Sequence, residues 1–228
     1  MIDCLIDFKP QRFNALQSIE AIDRRMRAAG YLEQACAILG PIFIRHGVQD
    51  VWGIGLLHRH WLLADNEISV ERYHDGDYVS VPKGRYREVC PRTLGVTKAG
   101  LFEPIEYSSD KHVRNACRVL SNGSAFSKEF RENVVNFSLD EVFALVVLKK
   151  LKKSGHGFLE NNYESRKSTV GEVPMKCLDG SRHLQTAWSF SGETNVNCAM
   201  TCDSYCQEVG NHHTFVHDPV HQGPGPQE

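Results

Sequence analysis

The sequence predicts an α+β protein: a helical bundle combined with a small antiparallel sheet, with a zinc site near the C-terminus. Three observations carry that prediction. Leu16, Ile19, Ile22 and Met26 recur at intervals of three and four with charges between them, the period of a helix with one apolar face. Ser138-Leu-Asp-Glu141 has the form of a capping box ahead of an apolar run, which marks a helix start. Ile68, Val70 and Arg72-Tyr73, then Tyr78, Val79 and Val81, flank Asp75-Gly76-Asp77, the pattern of strands joined by a hairpin.

Taken in order, the first helix runs from Asn14 to Ala29 and Gly30 ends it. A second helix covers Tyr31 to Ile44, interrupted at Gly40-Pro41, because proline lacks the donor a helix interior needs. Val51 to Leu63 is apolar with glycines at 53 and 55 and reads as a strand. Pro82 to Pro104 is basic and irregular, the composition of a surface loop. Phe126, Phe130 and Val134 have helical spacing. The capping box opens a helix from Leu139 to Lys153 with Val142, Leu145, Val146 and Leu148 on its apolar face. Its last turn would carry Lys149, Lys150, Lys152 and Lys153, which suit the negative end of a helix. His183 to Ser191 alternates as a strand.

At 228 residues, with 41% hydrophobic and 24% charged residues, the chain suits a single domain spanning 1–228. The net charge of −2 argues against a nucleic-acid partner. No apolar run has the length of a membrane span. The first ten residues lack a basic stretch followed by an apolar one, so no secretory signal is expected and the cytoplasm is. Reduced cysteines are expected there, and a close Cys/His cluster then reads as metal or redox rather than disulfide.

That cluster lies at about 198–221. Cys198-x3-Cys202-x3-Cys206 precedes His212-His213-x3-His217-x3-His221, so three of eight cysteines and four of eleven histidines crowd together. Thiolate and imidazole suit tetrahedral Zn²⁺. Residues four apart share a helical face, so Cys202 and Cys206 are expected as ligands, with a turn at Gly210-Asn211 returning His213 and His217. Cys198, His212 and His221 are open substitutes. Pro219 prevents a continuous helix through His217 and His221.

A second constellation sits mid-chain. In Leu56-Leu57-His58-Arg59-His60-Trp61 a strand would put His58 and His60 on one face. Glu67 and Glu71 follow closely and supply carboxylates for acid–base work. His58, His60 and Glu71 are the catalytic candidates, with Trp52, Trp61 and Trp188 as apolar lining or core. Cys36 and Cys117 read as core. No Gly-x-Ser-x-Gly, phosphate loop or dinucleotide fingerprint is present.

The segment Leu56 to Trp61 with its Glu71-bearing strand, together with the Cys-x3-Cys…His-x3-His tail, resembles the hemocyanin-like cyclopenases of fungal quinolone alkaloid biosynthesis. The resemblance covers about a quarter of the chain. It implies a zinc protein with a helical bundle and ring-contracting lyase activity. The small aromatic heterocyclic substrate would be an epoxidised benzodiazepinedione such as cyclopenin, and the product a quinolone such as viridicatin. A dinuclear copper site is disfavoured, because it needs about six histidines in helical pairs. The rival expectation is a non-catalytic binding or structural protein whose zinc staples the tail, four protein ligands being the mark of a structural site.

Overall fold

The computed structural model describes residues 5–74, 77–84, 89–120, 124–163, 165–178, 183–191, 196–203, 206–208 and 211–213. Its centre is a closed barrel of ten strands, not a helical bundle with a small sheet. Among the described residues five α-helices accompany it: α1 (Pro10–Asn14), α2 (Ile19–Ala29), α3 (Tyr31–Arg45), α4 (Lys111–Val119) and α5 (Ala125–Asn136). The barrel strands are β1 (Trp52–Leu56), β2 (Glu67–His74), β3 (Asp77–Gly84), β4 (Cys90–Val96), β5 (Phe102–Ser108), β6 (Phe143–Val147), β7 (His156–Tyr163), β8 (Lys167–Pro174), β9 (His183–Phe190) and β10 (Val196–Asp203). Around the ring they run β1-β6-β4-β5-β2-β3-β8-β7-β10-β9, and β9 returns to β1. Neighbours are antiparallel except β2·β5 and β7·β10. A separate two-stranded sheet pairs β11 (Cys206–Glu208) with β12 (Asn211–His213).

The helix expected over Asn14–Ala29 is split, α1 ending at Asn14 and α2 starting at Ile19, whereas the one expected over Tyr31–Ile44 forms as α3 without interruption. Ser18 caps α2 by accepting from the Ala21 amide, and Gly30 ends it in the left-handed region at φ 64°, a conformation glycine adopts without strain. Pro41 lies within α3 and does not end it. The hairpin of β2 and β3 pairs in register from Glu67↔Gly84 to His74↔Asp77.

Two further expectations fail later in the chain. The helix from Leu139 to Lys153 is instead the strand β6, and Ser138 stands at φ 56°, outside the geometry of a cap. The cause is burial on both faces. Phe143, Leu145 and Val147 pack under the helices, while Ala144 and Val146 belong to a second cluster with Leu57, Ile105 and Ala187. A strand covered on both sides loses its alternation and becomes a continuous apolar run, which a helical template also fits. The expected loop from Pro82 to Pro104 contains β4, whose residues from Pro91 to Val96 are all buried.

Helices α2, α3, α4 and α5 cover one side of the barrel. Phe43 centres that interface, meeting Phe126 and Phe130 edge-on at ring centroid distances of 5.2 and 5.8 Å. Edge-to-face pairs of this kind each add about 1 kcal/mol to the apolar burial. Trp52 and Trp188 lie in the same core, fully buried. Gly53 and Gly55 let β1 approach β9 closely. A Cβ on Gly53 would stand 2.2 Å from the Trp188 carbonyl oxygen, and one on Gly55 would stand 2.7 Å from Val146 Cγ1.

A candidate metal centre in the barrel lumen

Strand β1 stops at Leu56, so His58 and His60 lie just beyond it rather than on a strand. Two backbone bonds fix the segment: the Leu57 amide donates to Val142 O at 2.9 Å, and the Arg59 amide donates to Gln17 O at 3.1 Å. His58 lies between these anchors and His60 directly after them, and both imidazoles line the interior cavity. Their rings meet nearly perpendicular, at 84°, with centroids 4.5 Å apart.

Two strands complete the group. Cys202 on β10 and Glu160 on β7 are register partners across the parallel seam. One ligand atom from each of His58, His60, Glu160 and Cys202 lies within 4.8 Å of the other three. His60 is 6% exposed, Glu160 3% and Cys202 0%. His60 Nε2 stands 3.4 Å from Glu160 Oε1. Asn162 Nδ2 donates to Cys202 Sγ at 3.1 Å, a contact that favours a thiolate.

His58 is prepared for a cation. Its Nδ1 lies 2.9 Å from the Leu56 carbonyl oxygen, which accepts only, so Nδ1 carries the proton and Nε2 the lone pair. That Nε2 is buried and has no hydrogen-bond partner. Burial, then the charge of His60, pushes the imidazole down to about 4, leaving it neutral and able to coordinate near neutral pH. A backbone carbonyl holding the far ring nitrogen is the usual arrangement behind a ligating histidine. Burial raises the Glu160 carboxyl, but His60, Arg92 and His58 outweigh it and hold the group below the ordinary carboxylate range.

Further charges fill the lumen. Arg92 Nη1 on β4 donates to Glu71 on β2, and Lys149 Nζ lies 2.8 Å from Glu71 Oε2. Arg92 Nε is 3.6 Å from Glu106 Oε2, and Thr93 Oγ1 donates to Glu106 at 2.8 Å. Burial works against the Arg92 charge, yet Glu71 and Glu106 raise its pKa. Lys149 is lowered, first by burial and then by Arg92. His58, His60, Arg92, Glu106, Lys149 and Glu160 line a cavity of about 40 Å³, room for about three waters.

Glu71, Glu106 and Glu160 face two cations, Arg92 and Lys149. Among the described residues the lumen thus holds one more carboxylate than Arg or Lys cation, and a divalent cation bound through a Cys202 thiolate would bring that balance to zero.

The structure therefore joins two sets of residues that the sequence presents apart. His58 and His60 from mid-chain meet Cys202 from the tail. Glu71 does not face the histidines; it is held between Arg92 and Lys149. Cys206 and His213 stand opposite each other in the backbone register of β11 and β12. Their side chains, and all of His217, lie outside the described residues. Glu160, Arg92 and Glu106 went unread in the sequence. A lone glutamate after the apolar Phe158-Leu159 was the available signal for Glu160. Lys149, expected on a solvated helix end, is instead buried against Glu71, because β6 rather than a helix carries the chain to it. Among the described residues, no helix is long and apolar enough to cross a membrane. No protein-family model, no curated protein and no solved structure matches the chain.

Proposed function

We propose that this protein is a zinc-dependent enzyme whose metal is held by His58, His60, Glu160 and Cys202. The observation that carries the reading is the convergence of these four buried donors around an unpartnered His58 Nε2. Two imidazoles, a thiolate and a carboxylate are the donor types zinc prefers. Bound there, zinc would supply Lewis acidity, and a bound water only if one of the four protein donors leaves a position open. Glu106, across the same cavity, is placed to exchange protons with a ligand bound there. A lyase or isomerase acting on a small molecule needs no further cofactor. The motif around His58 and His60 supports cyclopenin-type substrates within that class.

A structural zinc is the second reading, and the count of four protein donors favours it. Against it stands the cavity beside the metal, ringed by charges that a purely structural site does not need.

Metal analysis of the purified full chain tests the site. About one equivalent of zinc is expected in the wild type, falling to about a tenth or less in the His58→Ala, Cys202→Ala double variant, since both ligands are removed. Zinc retained in that variant would refute the site. Turnover of cyclopenin to viridicatin, followed by absorbance, tests the substrate. Zinc-loaded wild type that is inert toward it removes the cyclopenase reading and leaves the metal reading standing.

A further inference from the structure

The barrel wall is incomplete beside the metal ligands. Strands β7 and β10 run parallel and pair at Thr201↔Leu159 and Cys202↔Glu160. Below that point, among the described residues, Cys198, Ala199 and Met200 have no partner on β7. Strand β10 is irregular in the same place, with register shifts between Cys198 and Met200 and between Met200 and Thr201. Unzipped, bulged strand is where a barrel wall opens.

A cleft of about 310 Å³ lies over this gap. Its lining includes Leu148, Leu151, Phe158, Met175, Leu178 and Met200. Leu148, Lys149, Ala199 and Met200 line both the cleft and the interior cavity, so the two spaces adjoin at these residues. Met200 is the one long, unbranched and uncharged side chain among them, and methionine adapts its shape at low cost. Two residues further along β10 is Cys202.

We propose that this cleft is a side portal where an uncharged, largely apolar small molecule binds, with its polar end passing Met200 to the zinc. The proposal rests on the metal reading above. Size supports it: ligand clefts start at roughly 300 Å³, enough for a molecule of about one or two rings. Charge supports it as well. No carboxylate lines the cleft among the described residues, Lys149 is bound to Glu71 at 2.8 Å, and the other titratable side chains there are His156, His183 and Cys198. The 640 Å³ cleft on the opposite side, which shares Leu57 and Ile105 with the cavity, is instead crossed by the pairs Arg12–Glu103 and Arg25–Glu141. It offers charged walls.

Two metal-directed probes test the portal on the zinc-loaded full chain by calorimetry. Acetohydroxamate carries only the zinc-binding group; benzohydroxamate adds a phenyl ring for the cleft. Burying that ring predicts benzohydroxamate about tenfold or more tighter. Met200→Trp fills the passage and should reduce the difference to about twofold while zinc content stays at the wild-type level. Leu151→Asp, at a rim position that is 49% exposed, puts a charge in the apolar wall without touching the core and should weaken benzohydroxamate selectively. Equal affinities of the two probes in wild type overturn the portal, as does an undiminished phenyl preference in both variants. A wild type without zinc removes the metal reading and the portal with it.

Discussion

Replacing Arg92 by methionine tests whether the lumen charges are held by mutual compensation. Arg92 is 6% exposed and serves two carboxylates, Glu71 at 2% exposure and Glu106. Methionine keeps much of the side-chain length and removes the charge. Lys149 remains on Glu71 at 2.8 Å, so the principal loss falls on Glu106, with Glu160 nearby losing a stabilising cation as well. Breaking a buried pair from one side typically costs about 3–5 kcal/mol. With a urea slope of about 3 kcal/mol/M for a chain of this size, the unfolding midpoint should fall by about 1–1.7 M. The measurement is urea unfolding followed by far-ultraviolet circular dichroism, with chelator present so that metal does not contribute. Glu71→Gln in the same background removes one carboxylate, frees Lys149 to serve the others, and should restore about half of the loss through a coupling of 1 kcal/mol or more. An Arg92→Met protein within about 0.5 kcal/mol of wild type would refute the reasoning, since that is the range of ordinary surface changes. So would a double variant no more stable than the single one.

Two further outcomes follow from the same geometry. Gly53→Ala should destabilise by about 3 kcal/mol, at the upper end for overpacking, because its Cβ would meet the Trp188 carbonyl oxygen at 2.2 Å and the β1·β9 seam must open; thermal unfolding at the wild-type midpoint would undercut this. Zinc at a thousandfold excess over its dissociation constant should add about 4 kcal/mol and raise the wild-type melting temperature by about 8–16 °C over chelated protein. The His58→Ala, Cys202→Ala variant should show no such rise, and equal shifts in both proteins would contradict the site.

What the sequence determined alone is the local part. The helical period from Leu16 to Met26, the glycine stop at Gly30 and the alternation on either side of Asp75-Gly76-Asp77 depend on neighbours within a few residues. Ile19 to Met26 and the Gly30 stop reappear in α2 and the alternation in the β2–β3 hairpin, while Leu16 falls between α1 and α2. The donor types were legible too, since histidine pairs and clustered cysteines stand out by chemistry. The tertiary structure decided two things. It made Phe143–Val147 a strand, because burial on both faces removes the alternation that distinguishes strand from helix. It also decided which donors meet. His58 and Cys202 are 144 positions apart in the numbering, and they converge only because β10 closes the ring between β7 and β9, bringing Cys202 beside Glu160. Barrel closure is a property of all ten strands and their register at once, so no short window of sequence contains it.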